Sequence, residues 1–187
     1  MRFVRFSSLA GLAALASACS GPAVPDHVAA SSAAIVDGLP STSEEDFVVH
    51  LYVTGQGSCT GTLVAPNTVL TALHCISEFD LLKTFACNND GSVSPIQEGG
   101  GILGPQLAPE RVEIRIGPRP LDDPPSAFGS RIFGTGSNTV CHDDLALIVL
   151  DRNLEPPPQR LRFQERIIRG DSELIVGYGQ TDSESSG

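Results

Sequence analysis

The 187-residue sequence has 41% hydrophobic residues, no tryptophan and a formal net charge of −10, so it can bury one modest core, and its charge argues against nucleic acid as a partner. Its 19 glycines and 14 prolines, against 18% charged residues, favour short strands joined by many turns over long helices. The composition therefore predicts an all-β protein.

The first eighteen residues have the pattern of a secretory signal peptide. Arg2 and Arg5 precede FSSLAGLAALASA, a run of apolar and small residues that is too short to span a bilayer. The stretch LASAC, which ends at Cys19, resembles the lipobox of bacterial lipoproteins. We therefore expect residues 1–18 to be removed and the protein to be exported, either secreted or held at the cell envelope by a lipid on Cys19. The alternative is ordinary signal cleavage that leaves Cys19 without a role.

Residues 19–34 follow as the lipidated cysteine and a tether. The stretch SGPAVPDHVAASSAA is small and polar, contains two prolines and shows no periodicity, which is typical of a flexible linker. Folding is expected to begin after it. Apolar and β-branched runs predict strands at 46–53, 58–64, 68–72, 111–117, 145–150, 160–163 and 173–178.

Helix signals are weak, and the best of them predicts one or two turns at 73–84. Residues 85–110 are rich in glycine, proline and asparagine and are expected to form a long loop. The prolines of DRNLEPPPQ at 151–159 indicate a stiff connector at a domain boundary.

Four cysteines remain when Cys19 is set aside, namely Cys59, Cys75, Cys87 and Cys141. An even number in an exported protein indicates disulfides, and the residues alone leave three pairings open.

The strongest chemical signal is a histidine and an aspartate at the ends of two predicted strands. His74 ends the stretch LTALH, and Asp143 and Asp144 precede the apolar run LALIVL. A histidine that acts as a general base needs a carboxylate on one ring nitrogen and a nucleophile facing the other. The alternative interpretation of Asp143 and Asp144 is a pair of solvated turn residues.

Four stretches together resemble the trypsin/chymotrypsin-like serine proteases. The stretch SCTGTLVAPNTVLTALHC at 58–75 is similar to that family's strand, turn, strand and histidine loop, and DDLALIVL at 143–150 is similar to its aspartate motif. IVDG at 35–38 resembles the mature N-terminus, and VGYGQT at 176–181 resembles a glycine-aromatic-glycine turn early in the second barrel. All four occur in the family's order.

The resemblance implies a double β-barrel, with a complete first barrel at 35–154 and the start of a second at 155–187. It makes His74 the catalytic base, Asp144 the carboxylate that orients it, and a polypeptide the substrate. It also places Cys59 and Cys75 at a family disulfide, which leaves the pairing of Cys87 with Cys141 open. No cofactor is implied. Leu73 departs from the family pattern, which has a small residue before the histidine.

The serine nucleophile is the missing member of the implied triad. The family places it after the VGYGQT turn in a Gly-Asp-Ser-Gly-Gly stretch, and no such stretch occurs before Gly187. Ser172, in RGDSE, precedes the turn and lacks the two glycines that follow the nucleophile. We therefore expect a chain truncated before its serine and inactive as it stands. The alternative is a catalytically inactive homologue that acts as a binding protein.

Two other patterns resemble ligand sites but fit them poorly. GGGILG at 99–104 matches a dinucleotide fingerprint, but no strand precedes it and a proline follows. A zinc site from His74, Cys75, Cys141 and His142 lacks the usual ligand spacing. We expect no metal site.

Overall fold

The computed structural model describes residues 38–80, 82–163, 168 and 170–179. The predicted signal peptide, Cys19, the tether and the first three residues of the IVDG motif lie outside them. Within the described residues, no helix has both the length and the apolar character needed to cross a membrane.

Six antiparallel strands close into a β-barrel, and two further strands form a separate hairpin. Three short 3₁₀ helices occupy Ser43–Glu45, Leu73–Ile76 and Pro109–Arg111. The predicted all-β class and the complete first barrel are therefore confirmed. In chain order the strands are β1 (Val48–Val53), β2 (Gly57–Ala65), β3 (Thr68–Thr71), β4 (Phe85–Cys87), β5 (Val93–Pro95), β6 (Val112–Arg115), β7 (Ala127–Gly134) and β8 (Ala146–Leu150). The barrel order is β1-β2-β3-β8-β7-β6, and β4 pairs with β5 in the hairpin.

The barrel core consists of the inward-facing side chains of these strands. In β8, Ala146, Ile148 and Leu150 are buried while the residues between them are more exposed, which is the period of two expected of a strand with one buried face. Each fully buried valine, leucine or isoleucine contributes about 1.5–3 kcal/mol relative to an exposed position. The largest fully buried side chains are Leu51, Leu63, Ile76, Ile114, Ile148, Val49, Val53, Val69 and Val112.

Strand β7 was not predicted from the sequence. Its residues AFGSRIFG contain Gly129 and Gly134, which weaken a strand signal, and the pairing with β8 is irregular between Gly129 and Arg131. A side chain at Gly129 would place its Cβ 2.5 Å from the carbonyl oxygen of Pro109. Glycine is therefore required there by a close backbone contact.

The strands predicted at 160–163 and 173–178 are not formed, because neither segment has a strand partner among the described residues. The second segment is instead fixed to the barrel through Tyr178. Its backbone N–H donates to Thr60 Oγ1 at 2.9 Å, and its hydroxyl donates to the carbonyl oxygen of Gly117 at 2.9 Å.

The sequence predicted one or two helical turns at 73–84 and a long loop at 85–110. The helix ends at Ile76, and the loop contains the hairpin of β4 and β5. A disulfide between Cys87 and Cys141 joins this hairpin to the loop before β8, which settles the pairing that the sequence left open.

His50 in β1 is a buried histidine whose protonation should oppose folding. The side chain is 3% exposed, and Nδ1 has no hydrogen-bond partner among the described residues. Burial lowers the pKa of His50 below its usual value, and the nearby Arg115 guanidinium lowers it further. The unfolded chain therefore binds a proton more readily than the folded one.

We expect the free energy of unfolding to decrease as the pH falls from the ordinary histidine pKa of about 6.5 toward the lower pKa of folded His50. Thermal unfolding at pH 7.5 and at pH 5.5 measures the difference. His50→Phe, which cannot take up a proton, should reduce the loss between these two pH values. An identical loss in the parent and the variant would show that other groups cause it.

Candidate active site

His74 is held by a short helix whose other side chains enter the core. Leu73, Cys75 and Ile76 are buried, whereas the His74 side chain is 31% exposed. The disulfide between Cys59 and Cys75 fixes this helix to β2, in the pairing that the family resemblance implied. The imidazole is therefore left facing outward from a rigid support.

The unusual Leu73 is accommodated by a glycine on the neighbouring strand. A Cβ atom at Gly134 would lie 2.6 Å from Leu73 Cδ1, so β7 has no side chain where the leucine packs. This departure from the family pattern therefore leaves the His74 helix in place.

The pairing of β3 with β8 brings His74 and Asp144 together. Thr71 lies opposite Ala146 in this antiparallel pair, so the chain that leaves β3 and the chain that enters β8 meet at the same end of the barrel. His74 Nδ1 lies 2.7 Å from Asp144 Oδ2. The backbone N–H of His74 donates to Asp144 Oδ1 at 2.8 Å. Both carboxylate oxygens of Asp144 are thus engaged by one residue that is 70 positions away.

The charge state of Asp144 fixes the role of each imidazole nitrogen. Burial raises the pKa of Asp144, but hydrogen bonds from the side chain and backbone of His74 outweigh that effect, so the pKa lies below its usual value. An ionised carboxylate can only accept hydrogen bonds, so Nδ1 of a neutral His74 carries the proton. Nε2 is then the unprotonated nitrogen, which is what a general base requires.

A small cavity of about 80 Å³ lies beside His74. Its walls include the Cys59–Cys75 disulfide, Phe79 and the chain from Gln56 to Ser58. Phe79 was not singled out from the sequence, because only the fold of the following loop places it against the imidazole. A larger cavity of about 640 Å³ lies elsewhere, between residues 38–48 and 174–179.

The residues considered for zinc do not offer a set of thiolates. Ligand atoms of Cys59, His74 and Cys75 lie within 4.8 Å of one another, but both sulfurs belong to one disulfide, and a metal ligand requires the free thiolate. Cys141 is likewise oxidised. His142 is exposed and contacts Asp143, with His142 Nε2 3.1 Å from Asp143 Oδ2.

No serine hydroxyl is hydrogen-bonded to His74 within the part of the chain that the structure describes. Ser172 is exposed, in a segment without regular secondary structure. The described site therefore contains the His74 imidazole in contact with the Asp144 carboxylate.

Comparison with known proteins finds a family match over part of the sequence. Residues 35–97 match the family described as Trypsin. Among 114 matching chains of solved structures is the scabies mite inactivated protease paralogue S-D1, with 16% sequence identity and a TM-score of 0.49. The alignment covers 81% of this chain and 57% of that one, so the chain spans little more than half of that structure. No curated protein matches.

Proposed function

We propose that this chain, whose residues 35–97 match the Trypsin family, supplies the base and the carboxylate of a serine endopeptidase. The observation that carries the proposal is the contact of 2.7 Å between His74 Nδ1 and Asp144 Oδ2. It is reinforced by the ionised state of Asp144, which leaves Nε2 of His74 free to accept a proton. The substrate class is polypeptide.

The proposed reaction is hydrolysis of a peptide bond in two stages. Nε2 of His74 takes the proton of a serine hydroxyl while the serine oxygen attacks the scissile carbonyl carbon. The same proton then passes to the leaving amine as the C–N bond breaks, and water repeats the sequence on the acyl-enzyme. Asp144 stabilises the imidazolium that forms in each stage. The serine is assigned to no residue of this sequence.

Labelling with a fluorophosphonate probe tests the proposal, because the probe reacts with a serine activated by a base. The sample is the polypeptide that contains these residues, purified from its natural source. We expect labelling of the parent, and loss of at least about 10²-fold in labelling rate for His74→Ala, the lower range for removing a general base. His142→Ala, which removes an exposed histidine outside the pair, should label like the parent.

Absence of labelling in a sample that retains the contact between His74 and Asp144 would overturn the proposal. The protein would then be better described as a catalytically inactive homologue that binds a polypeptide partner. A pull-down with unfolded and folded polypeptides would examine that second role.

Export and lipid attachment at Cys19 form a separate part of the proposal. They rest on the charged and then apolar N-terminus and on the LASAC stretch, and the two disulfides fit an oxidising compartment. Mass spectrometry of the mature N-terminus is expected to find a diacylglyceryl group on Cys19. An unmodified N-terminus at another residue would rule out the lipid.

A further inference from the structure

A glycine-rich segment joins the two halves of the candidate site outside the barrel. We define the bridging segment as residues 99–107. On one side it bonds to the chain that follows His74: the N–H of Glu78 donates to the carbonyl of Pro105 at 2.9 Å, and the N–H of Leu107 donates to the carbonyl of Ile76 at 2.8 Å. It therefore supports the far end of the His74 helix.

On its other side the bridging segment bonds to the chain that leads to Asp144. The N–H of Leu103 donates to the carbonyl of Asn138 at 2.9 Å, and the N–H of Val140 donates to the carbonyl of Gly101 at 3.1 Å. The next residue is Cys141, whose disulfide holds the β4–β5 hairpin. The same nine residues thus form backbone hydrogen bonds with the segment that follows His74 and with the segment that precedes Asp144.

A row of aromatic rings connects this bridging segment to the imidazole itself. The ring of Phe79 lies 5.6 Å from that of His74, between centroids, and is tilted by 51°. Phe85 meets Phe79 edge to face, with centroids 6.2 Å apart. Edge-to-face and tilted ring pairs at these distances are attractive and directional. The orientation of Phe79 therefore depends on where Phe85 sits.

Gly101 provides the space in which Phe85 sits. A Cβ atom at Gly101 would lie 2.9 Å from two ring carbons of Phe85 and 2.9 Å from Val93 Cγ1. Gly101 also has a φ of +73°, in the region that favours glycine. Gly101 thus serves packing of the hairpin, which gives this glycine of the GGGILG stretch a structural role.

We propose that Phe79, held by Phe85 over Gly101, is a positioning residue that fixes the plane of the His74 imidazole against Asp144. This inference rests on the proposed function, in which the hydrogen bond to Asp144 sets the reactive nitrogen. The backbone fixes only the Cβ of His74, so the ring can still rotate about its side-chain bonds. Phe79 restricts that rotation by occupying one side of the ring.

The test uses the chain itself and two readouts of the imidazole. The first is the low-field proton NMR signal of the Nδ1–H···Oδ2 hydrogen bond, and the second is the rate at which diethyl pyrocarbonate acylates His74, followed by peptide mass analysis. In Phe79→Leu we expect the signal to broaden beyond detection and the His74 rate to change at least about threefold. Exposed His142 serves as an internal reference and should keep its rate.

Two further variants separate ring contact from general packing. Phe79→Tyr keeps the ring and should restore the parent signal and rate. Phe128→Leu removes a partly exposed phenylalanine from β7, away from His74, and should leave both unchanged.

Two glycine variants test whether the packing of Phe85 against Gly101 matters for His74. Gly101→Ala should disturb the His74 signal, because its methyl group displaces Phe85. Gly117 has a similar backbone constraint, with a φ of +93°, but nothing lies within 4 Å of the carbon that alanine would add. Gly117→Ala should therefore leave the His74 signal unchanged. Thermal unfolding of each variant identifies any that fails to fold.

The outcomes for the inference and for the proposed function are distinct. If Asp144→Asn abolishes the low-field signal while a folded Phe79→Leu keeps both the signal and the His74 rate within twofold of the parent, the positioning role is wrong and the pair stands. If the parent shows no such signal and Asp144→Asn changes nothing, the pair is absent, and both proposals are overturned.

Discussion

Asp144→Asn is expected to lower the rate of fluorophosphonate labelling and of peptide hydrolysis by about 10⁴-fold in the polypeptide that carries these residues. That magnitude is the loss known for the same substitution in the well-studied Ser-His-Asp triad of the trypsin/chymotrypsin-like proteases. The physical reason is the tautomer: the amide nitrogen of asparagine donates a hydrogen bond to Nδ1, which places the remaining imidazole proton on Nε2. His74 then has no free nitrogen with which to accept the proton of serine.

The neighbouring residue supplies a matched control for this substitution. Asp143 is exposed and has a φ of +55°, a conformation that asparagine also tolerates. Asp143→Asn removes the same charge one residue away and should leave the labelling rate within about twofold. Equal losses for the two variants would mean that net charge at the loop matters, and that the specific bond between Asp144 and His74 does not.

Replacing both Cys59 and Cys75 by alanine is expected to lower the free energy of unfolding by about 3 kcal/mol. The bond closes a loop between residues 16 positions apart, and the chain-entropy treatment gives this magnitude for a loop of that size. Urea denaturation of the paired variant and the parent measures it directly. In thermal unfolding the same loss corresponds to roughly 6–12 °C for a domain of this size.

The disulfide also fixes the helix that carries His74, so its loss should be visible at the site. We expect the Nδ1 proton signal of His74 to weaken in the folded double variant, since Cys75 is the next residue in the chain. An unfolding free energy within about 1 kcal/mol of the parent, with an unchanged signal, would contradict the structural role given to this bond.

The pairing of His74 with Asp144 was expected from the resemblance of two local stretches to the trypsin/chymotrypsin-like proteases, whereas the residues alone left Asp143 and Asp144 open to interpretation as solvated turn residues. The histidine follows a continuous strand-turn-strand stretch at 58–73, and the aspartate directly precedes a strand with a period of two. A pattern of this kind involves only residues that are neighbours in the chain, so it can be recognised before the fold is known. Bringing the two ends together required only the antiparallel pairing of β3 with β8.

Other features were hidden because they depend on contacts between distant residues. β7 contains glycines that lower its strand signal, yet Gly129 is needed for a close approach to Pro109, and Gly134 makes room for Leu73. Phe79 gives no signal in the sequence, because its contact with the His74 ring exists only in the folded chain. The strands predicted at 160–163 and 173–178 were wrong for a related reason, since apolar content alone does not supply a partner strand.

The strand order of the barrel also sets a time order for its assembly. β3 ends at Thr71, but its partner β8 begins at Ala146, so these two strands cannot pair until the chain has been synthesised to the end of β8 at Leu150. Until then β3 presents an open row of unpaired backbone groups, which is the form of β-structure most prone to aggregation. A chaperone that shields this early edge would therefore act on residues 57–71, well before His74 and Asp144 can meet.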